Sequence, residues 1–215
     1  MANEELREKN IKKVLQEAIK CFQEFGIENS KISTIAKRSG VDQRSIYRYF
    51  SGKEDLVTKA TLYFWKQIFN DWDSLKSRPD FQNLTGKEQV QTVLLSHLKR
   101  FDEQYVSGFL LVDYDTYIYN KHVEHKQEIL DIERRFIQES PLIGAIEKGI
   151  YDGTIKTTYK TIDLYKSISY SLTGILKRLA IQYNYYGADI NLVLKPQFDI
   201  YIHMVLKFFE DGCMG

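Results

Sequence analysis

Gln43 and Arg44 stand side by side in a stretch with few acids, and their side chains are well suited to reading base edges. In the major groove of a duplex, a Gln amide can both donate to and accept from adenine, and an Arg guanidinium can donate twice to guanine. From Ser30 to Lys53 there are six basic residues, Lys31, Lys37, Arg38, Arg44, Arg48 and Lys53, against one acid, Asp42. The formal net charge of +1 hides this concentration: residues 1–60 hold 12 Lys/Arg and 9 Asp/Glu, and the remainder holds 18 and 20. Such a window suits a phosphate backbone, and it equally suits a solvated basic surface. Charge alone does not choose between them.

The spacing of small and apolar residues does. A helix-turn-helix needs a small residue where two helices cross and a glycine four residues later that turns without a Cβ penalty. Apolar residues must then pin the second helix to the core. Ala36, Gly40, Val41 and Ile46 fill those places, with Ile35 just before. The flanking elements fit. Ile11, Val14, Leu15, Ala18, Ile19, Phe22 and Phe25 recur at steps of three and four, which predicts an amphipathic helix stopped by Gly26. Ser30 is placed to cap a short second helix with Ile32, Ile35 and Ala36 inward, and Asp42 to cap a third with Ile46 and Phe50 inward. The amino-terminal end of that third helix enters the groove. Ser45 lies beside the base-reading pair, and Tyr47 and Tyr49 suit either phosphate contact or packing. Lys53 opens a fourth helix, where its charge and the free N–H groups can meet a phosphate. Arg48 and Lys37 are phosphate contacts or solvated charges.

The fourth helix carries Leu56, Ala60, Phe64, Ile68 and Trp72 as its stripe and runs to Ser77-Arg78-Pro79. Beyond it the pattern stays helical: 86–105, 122–138, a short helix at 142–148, then 161–183 and 189–210, the last kinked or restarted at Pro196. With 3 Pro, 12 Gly and 43% hydrophobic residues, the chain has the composition of a helical globular protein, and no apolar run is long enough to span a membrane. The amino terminus lacks the basic-then-apolar order of a signal peptide, and Cys21 and Cys213 have no metal-type spacing, so a reduced, cytoplasmic protein is expected. His122 and His125, beside Glu124 and Glu128, could hold a metal but read more simply as an exposed polar face. There is no glycine-rich phosphate loop and no nucleophile elbow, so neither an enzyme nor a cofactor is expected.

Several residues together resemble the DNA-binding domain of TetR-type transcriptional regulators: Ala18, Phe22, Glu24-Phe25-Gly26, Ile35-Ala36, Gly40-Val41, Ser45-Ile46-Tyr47, Tyr49-Phe50 and Lys53-Glu54-Asp55-Leu56. Glu147-Lys148-Gly149-Ile150 followed by Gly153 is similar to the turn this family places before its last two helices. The departures are Asp42, Gln43 and Arg44, where the family commonly has Ser, a basic residue and Gly or Ala, and Lys31, where it often has a hydroxyl. Arg44 in place of a small residue implies a different base read there, and Lys31 a phosphate contact made by charge.

The resemblance implies an all-α fold of about nine helices. Residues 1–52 would form a three-helix DNA-binding domain and 53–215 a larger effector-binding and dimerisation domain, connected by helix 53–75. It implies a homodimer on a palindromic operator in double-stranded DNA, most simply a repressor released by a small organic effector. An activator, or an architectural DNA-binding protein without an effector, remains the alternative. Phe101, Tyr105, Phe109, Tyr114, Tyr117 and Tyr119, with Tyr170 and Tyr183, are core aromatics or the wall of an effector pocket. Leu172, Leu176, Val205, Phe208 and Phe209 are the expected dimer contacts.

Overall fold

The structure is a computed structural model that describes residues 2–104, 117, 126–186 and 190–212. Its described elements are all helices: α1 (Ala2–Phe25), α2 (Ile32–Ser39), α3 (Gln43–Tyr49), α4 (Lys53–Ser77), α5 (Pro79–Gln82), α6 (Gly86–Gln104), α7 (Lys126–Glu139), α8 (Pro141–Tyr151), α9 (Thr161–Tyr186) and α10 (Ile190–Asp211). No strand occurs among the described residues.

The chain divides into two compact units, Met1–Ile68 with Phe109–Ile132, and Phe69–Gly108 with Glu133–Gly215. This division falls inside α4, later than a break at residue 52 would put it. The physical reason is burial: Leu56, Val57 and Ala60 on the first turns of α4 are fully buried, so that stretch completes the first core. The apolar stripe of α1 closes the same core, with Val14, Ala18, Cys21 and Phe22 inaccessible to water beside Ile27, Ile35 and Ile46.

Local chemistry sets where the short helices stop and start. Gly26 takes φ 76°, a left-handed conformation that costs glycine nothing, and its N–H bonds back to Phe22 O at 2.9 Å. Ser30 does not cap α2. The N-cap position is Lys31, without a side-chain cap, while Ser30 is buried and its Oγ donates to Gly26 O at 2.8 Å. It therefore closes the α1–α2 turn instead of opening the helix.

In the second unit α6 packs on α8 and on α10. The α6–α8 crossing is close enough that a Cβ added at Gly86 would overlap the backbone of Gly149. Polar groups fasten the same place: Gly86 N donates to Asp152 Oδ2 at 2.8 Å, and Lys87 N to Thr154 Oγ1 at 3.2 Å. These bonds satisfy two of the open N–H groups at the start of α6. The Asp152 carboxyl is held below its usual range, first by the Thr154 hydroxyl and then by the Gly86 N–H. Val90, Val93 and Leu94 then bury fully, together with Ile146, Phe198 and Phe209. Pro196 lies inside α10 without breaking it. Among the described residues no helix is long and apolar enough to cross a membrane.

Candidate nucleic-acid interface

Gly40 ends α2 at φ 66°, and Val41 turns inward to a buried position. Asp42 then caps α3, its Oδ1 accepting from Arg44 N at 2.8 Å. A seven-residue helix has two faces to spend. Ile46 and the C-cap residue Phe50 take the inner one and are shielded from solvent. Gln43, Arg44 and Tyr47 take the outer one, with Tyr47 54% exposed. Ser45 and Tyr49 are half-buried at its flank. The exposure of Tyr47 removes the packing alternative for that ring.

Of the six basic residues of the window, all but the half-buried Lys53 are exposed. Arg38, Arg48 and Lys53 have intramolecular partners. Arg38 Nη1 donates to Glu24 Oε2 at 2.5 Å. Arg48 Nη2 donates to Ser45 Oγ at 3.4 Å, and its guanidinium lies 5.5 Å from the centroid of the Tyr49 ring. Lys53 Nζ donates to Glu28 O at 2.6 Å, which ties the start of α4 to the α1–α2 turn. The Tyr49 phenol is held below its usual range by hydrogen bonding from Asn10 first and Arg48 second. Its hydroxyl is thus engaged with α1.

Three polar contacts of this module were not expected from the sequence. Asn10 and Glu24 are polar residues on an amphipathic helix, indistinguishable there from solvated ones. The third is the buried carboxylate of Asp55, which accepts from Ser51 N at 2.8 Å and pairs with Lys59. Its place in the first turn of a helix following Ser51-Gly52 is the one cue to such a role.

The aromatic residues expected to wall a pocket separate. Tyr105, Phe109, Tyr114, Tyr119, His122 and His125, and the side chains of Phe101 and Tyr183, lie outside the described residues. Tyr117 is buried. Tyr170 is 70% exposed on α9, a position that does not suit a pocket wall. Among the described residues no group of acids, His and Cys is arranged to hold a metal.

Three of the five expected dimer contacts, Leu172, Leu176 and Phe209, are buried within the single chain. They fill its own core, so they are not free to meet a second copy. Val205 is half-buried, and Phe208 is exposed. The apolar surface that α10 does present is Ile200, Met204 and Phe208, spaced by four and therefore aligned along one face. Tyr159 stacks on Phe208, with ring centroids 6.3 Å apart. Tyr201, from the neighbouring position, points to α9 and donates to Ile168 O at 2.7 Å, and burial pushes its phenol up to about 12.

Comparison with known proteins gives the same picture of the amino-terminal module. Residues 14–63 match the family model of bacterial regulatory proteins of the tetR family. Over 143 residues the chain is 24% identical to the fatty acid metabolism regulator protein of Bacillus subtilis (strain 168), covering 66% of this chain and 69% of that protein. A second protein of that organism, the HTH-type transcriptional regulator YvdT, is 34% identical over 82 residues, 38% of each chain. Among solved structures, the fold is similar to the regulator FadR from Bacillus subtilis in complex with stearoyl-CoA. The TM-score is 0.64 at 20% identity, covering 94% of this chain and 98% of that one. A TetR transcription regulator from Haloarcula marismortui gives a TM-score of 0.70 at 14% identity, covering 95% and 98% of the two chains. Both structural likenesses establish a common fold.

Proposed function

We propose that the chain, whose residues 14–63 match the family model of tetR-type regulatory proteins, acts as a homodimeric repressor that reads a palindromic operator and is released by a small organic effector. The observation that carries this reading is the exposure of Gln43 and Arg44 at the capped start of a helix whose other face is buried. There they can reach base edges while Lys31 and Tyr47 meet phosphate, as positioning contacts that carry no sequence information. Ser45, Tyr49 and Lys53 support the reading head through their flanking places. The exposed apolar line of α10 is the best candidate for the dimer contact, joined by Tyr170 of α9. Two copies would set their recognition helices about 34 Å apart, one turn of the duplex.

For the effector, a fatty acyl thioester of coenzyme A is the class we favour. The Bacillus subtilis regulator of the same fold was solved with stearoyl-CoA, and the relative matched over 143 residues is a fatty acid metabolism regulator. Helix α4 is unbroken from Lys53 to Ser77 and belongs to both compact units, so it is the natural route for the signal. An effector releases DNA only by binding the non-operator geometry more tightly, and couplings of about 1–3 kcal/mol are typical of such switches.

Three outcomes are expected. Arg44→Ala costs about 1–3 kcal/mol on the specific site and relaxes preference at one base pair of each half-site. An unchanged preference would remove the base contact. Met204→Glu gives monomers in sedimentation with weakened operator binding and unchanged helical content, whereas a variant that stays dimeric takes α10 out of the interface. Stearoyl-CoA releases the operator in fluorescence anisotropy and coenzyme A alone does not. Release by neither, or by both alike, excludes the acyl thioester class.

A further inference from the structure

Arg38 lies within the basic window, yet its guanidinium is committed to α1. Nη1 donates to the Glu24 carboxylate at 2.5 Å and approaches Cys21 Sγ at 3.7 Å. The same group lies over the Phe25 ring, 5.2 Å from its centroid. All three partners belong to the last turns of α1, and burial pushes the Cys21 thiol up, so it offers the arginine a neutral neighbour. We propose that Arg38 is a positioning residue, which fixes α2 against the end of α1 and thereby sets how the recognition helix α3 meets DNA, without touching phosphate itself.

α2 depends on its neighbours to hold its place. It has eight residues and no side-chain cap at its start, and a helix so short does not persist without tertiary contacts. Ile35 and Ser39 anchor its inner face. That line of contact leaves a rocking motion open, which Arg38 opposes from the outer side. α2 leads into α3 through only Gly40, Val41 and Asp42, so any tilt of α2 is passed on to Gln43 and Arg44. The planar guanidinium is suited to the task, since it can hold a carboxylate in its plane and an aromatic ring against its face at once. An exposed ion pair adds little to global stability. The consequence of losing it therefore falls on DNA binding more than on folding.

The electrostatic signs make this testable. If Glu24 and Arg38 were independent surface charges, neutralising Glu24 would remove a repulsion from phosphate and tighten binding. If the pair positions α2, neutralising either partner weakens binding. The inference rests on the DNA-binding reading, so the experiment uses the full chain and the tightest duplex that the wild-type chain recovers from random-sequence DNA. That recovery upholds the DNA-binding reading by itself, whatever the variants then do. Affinities are measured across a potassium chloride titration for Arg38→Gln, Glu24→Gln, the double variant and the exchanged pair Arg38→Glu/Glu24→Arg.

The expected result is a loss of about tenfold for each single variant, with little further loss in the double variant, as coupled residues show. The salt slope stays at the wild-type value, and the exchanged pair regains most of the affinity. Lys31→Ala, the phosphate reference, lowers the slope by about one. The proposal is overturned if Arg38→Gln lowers the slope by that amount, if its affinity is unchanged, or if Glu24→Gln binds more tightly. Glu24 is exposed, so its variant folds and decides the matter even where Arg38→Gln does not.

Discussion

The burial of Ile46 beneath α3 is the contact on which the reading head depends. A seven-residue helix is far too short to hold its shape alone, so its position is set by what its inner face meets. Ile46 is fully buried, and Ile35, Val41 and Phe50 are buried as well. Burying one such side chain is worth about 1.5–3 kcal/mol, more than any single polar contact at the surface of the module. Once that face is fixed, helical periodicity leaves Gln43, Arg44 and Tyr47 pointing to water, and the sequence can vary there without disturbing the core. Specificity is placed where stability makes no demand.

The polar contacts around this core act as restraints on orientation. Asp42 secures the start of α3 through Arg44 N, Asp55 holds the Ser51 N–H at the entry to α4, and Lys53 reaches back to Glu28 O. The first two fix the starts of α3 and α4 locally, and the third ties the start of α4 to the α1–α2 turn. The assignment of the first turns of α4 to the first unit follows from this, together with the burial of Leu56, Val57 and Ala60.

Much of the module was legible because its signals are local. Gly26, Gly40 and Asp42 have roles set by backbone conformation and by neighbours two to four residues away, and the periodicity of α1 and α4 identified their buried faces. Ser30 misled because a hydroxyl one residue before the N-cap can bond either forward or back, and a buried turn favoured the latter. Lys53 also reaches the carbonyl of Glu28, a contact 25 residues away that composition cannot show. The α9 and α10 stripes misled for a different reason. An amphipathic helix pattern gives an apolar face, and it does not say whether that face meets its own chain or another. Leu172, Leu176 and Phe209 fill the core, and the outward line of Ile200, Met204 and Phe208 is weaker in sequence because His203 and Lys207 interrupt it.

The central claim is that two copies of this module read one duplex together through Gln43 and Arg44. Sequencing the DNA that the wild-type chain retains from a random-sequence library, at moderate salt, tests it most directly. The account predicts an enriched inverted repeat whose half-site centres lie about one helical turn apart, roughly 34 Å. Retention without any enriched sequence, or a single unrepeated half-site, would contradict it.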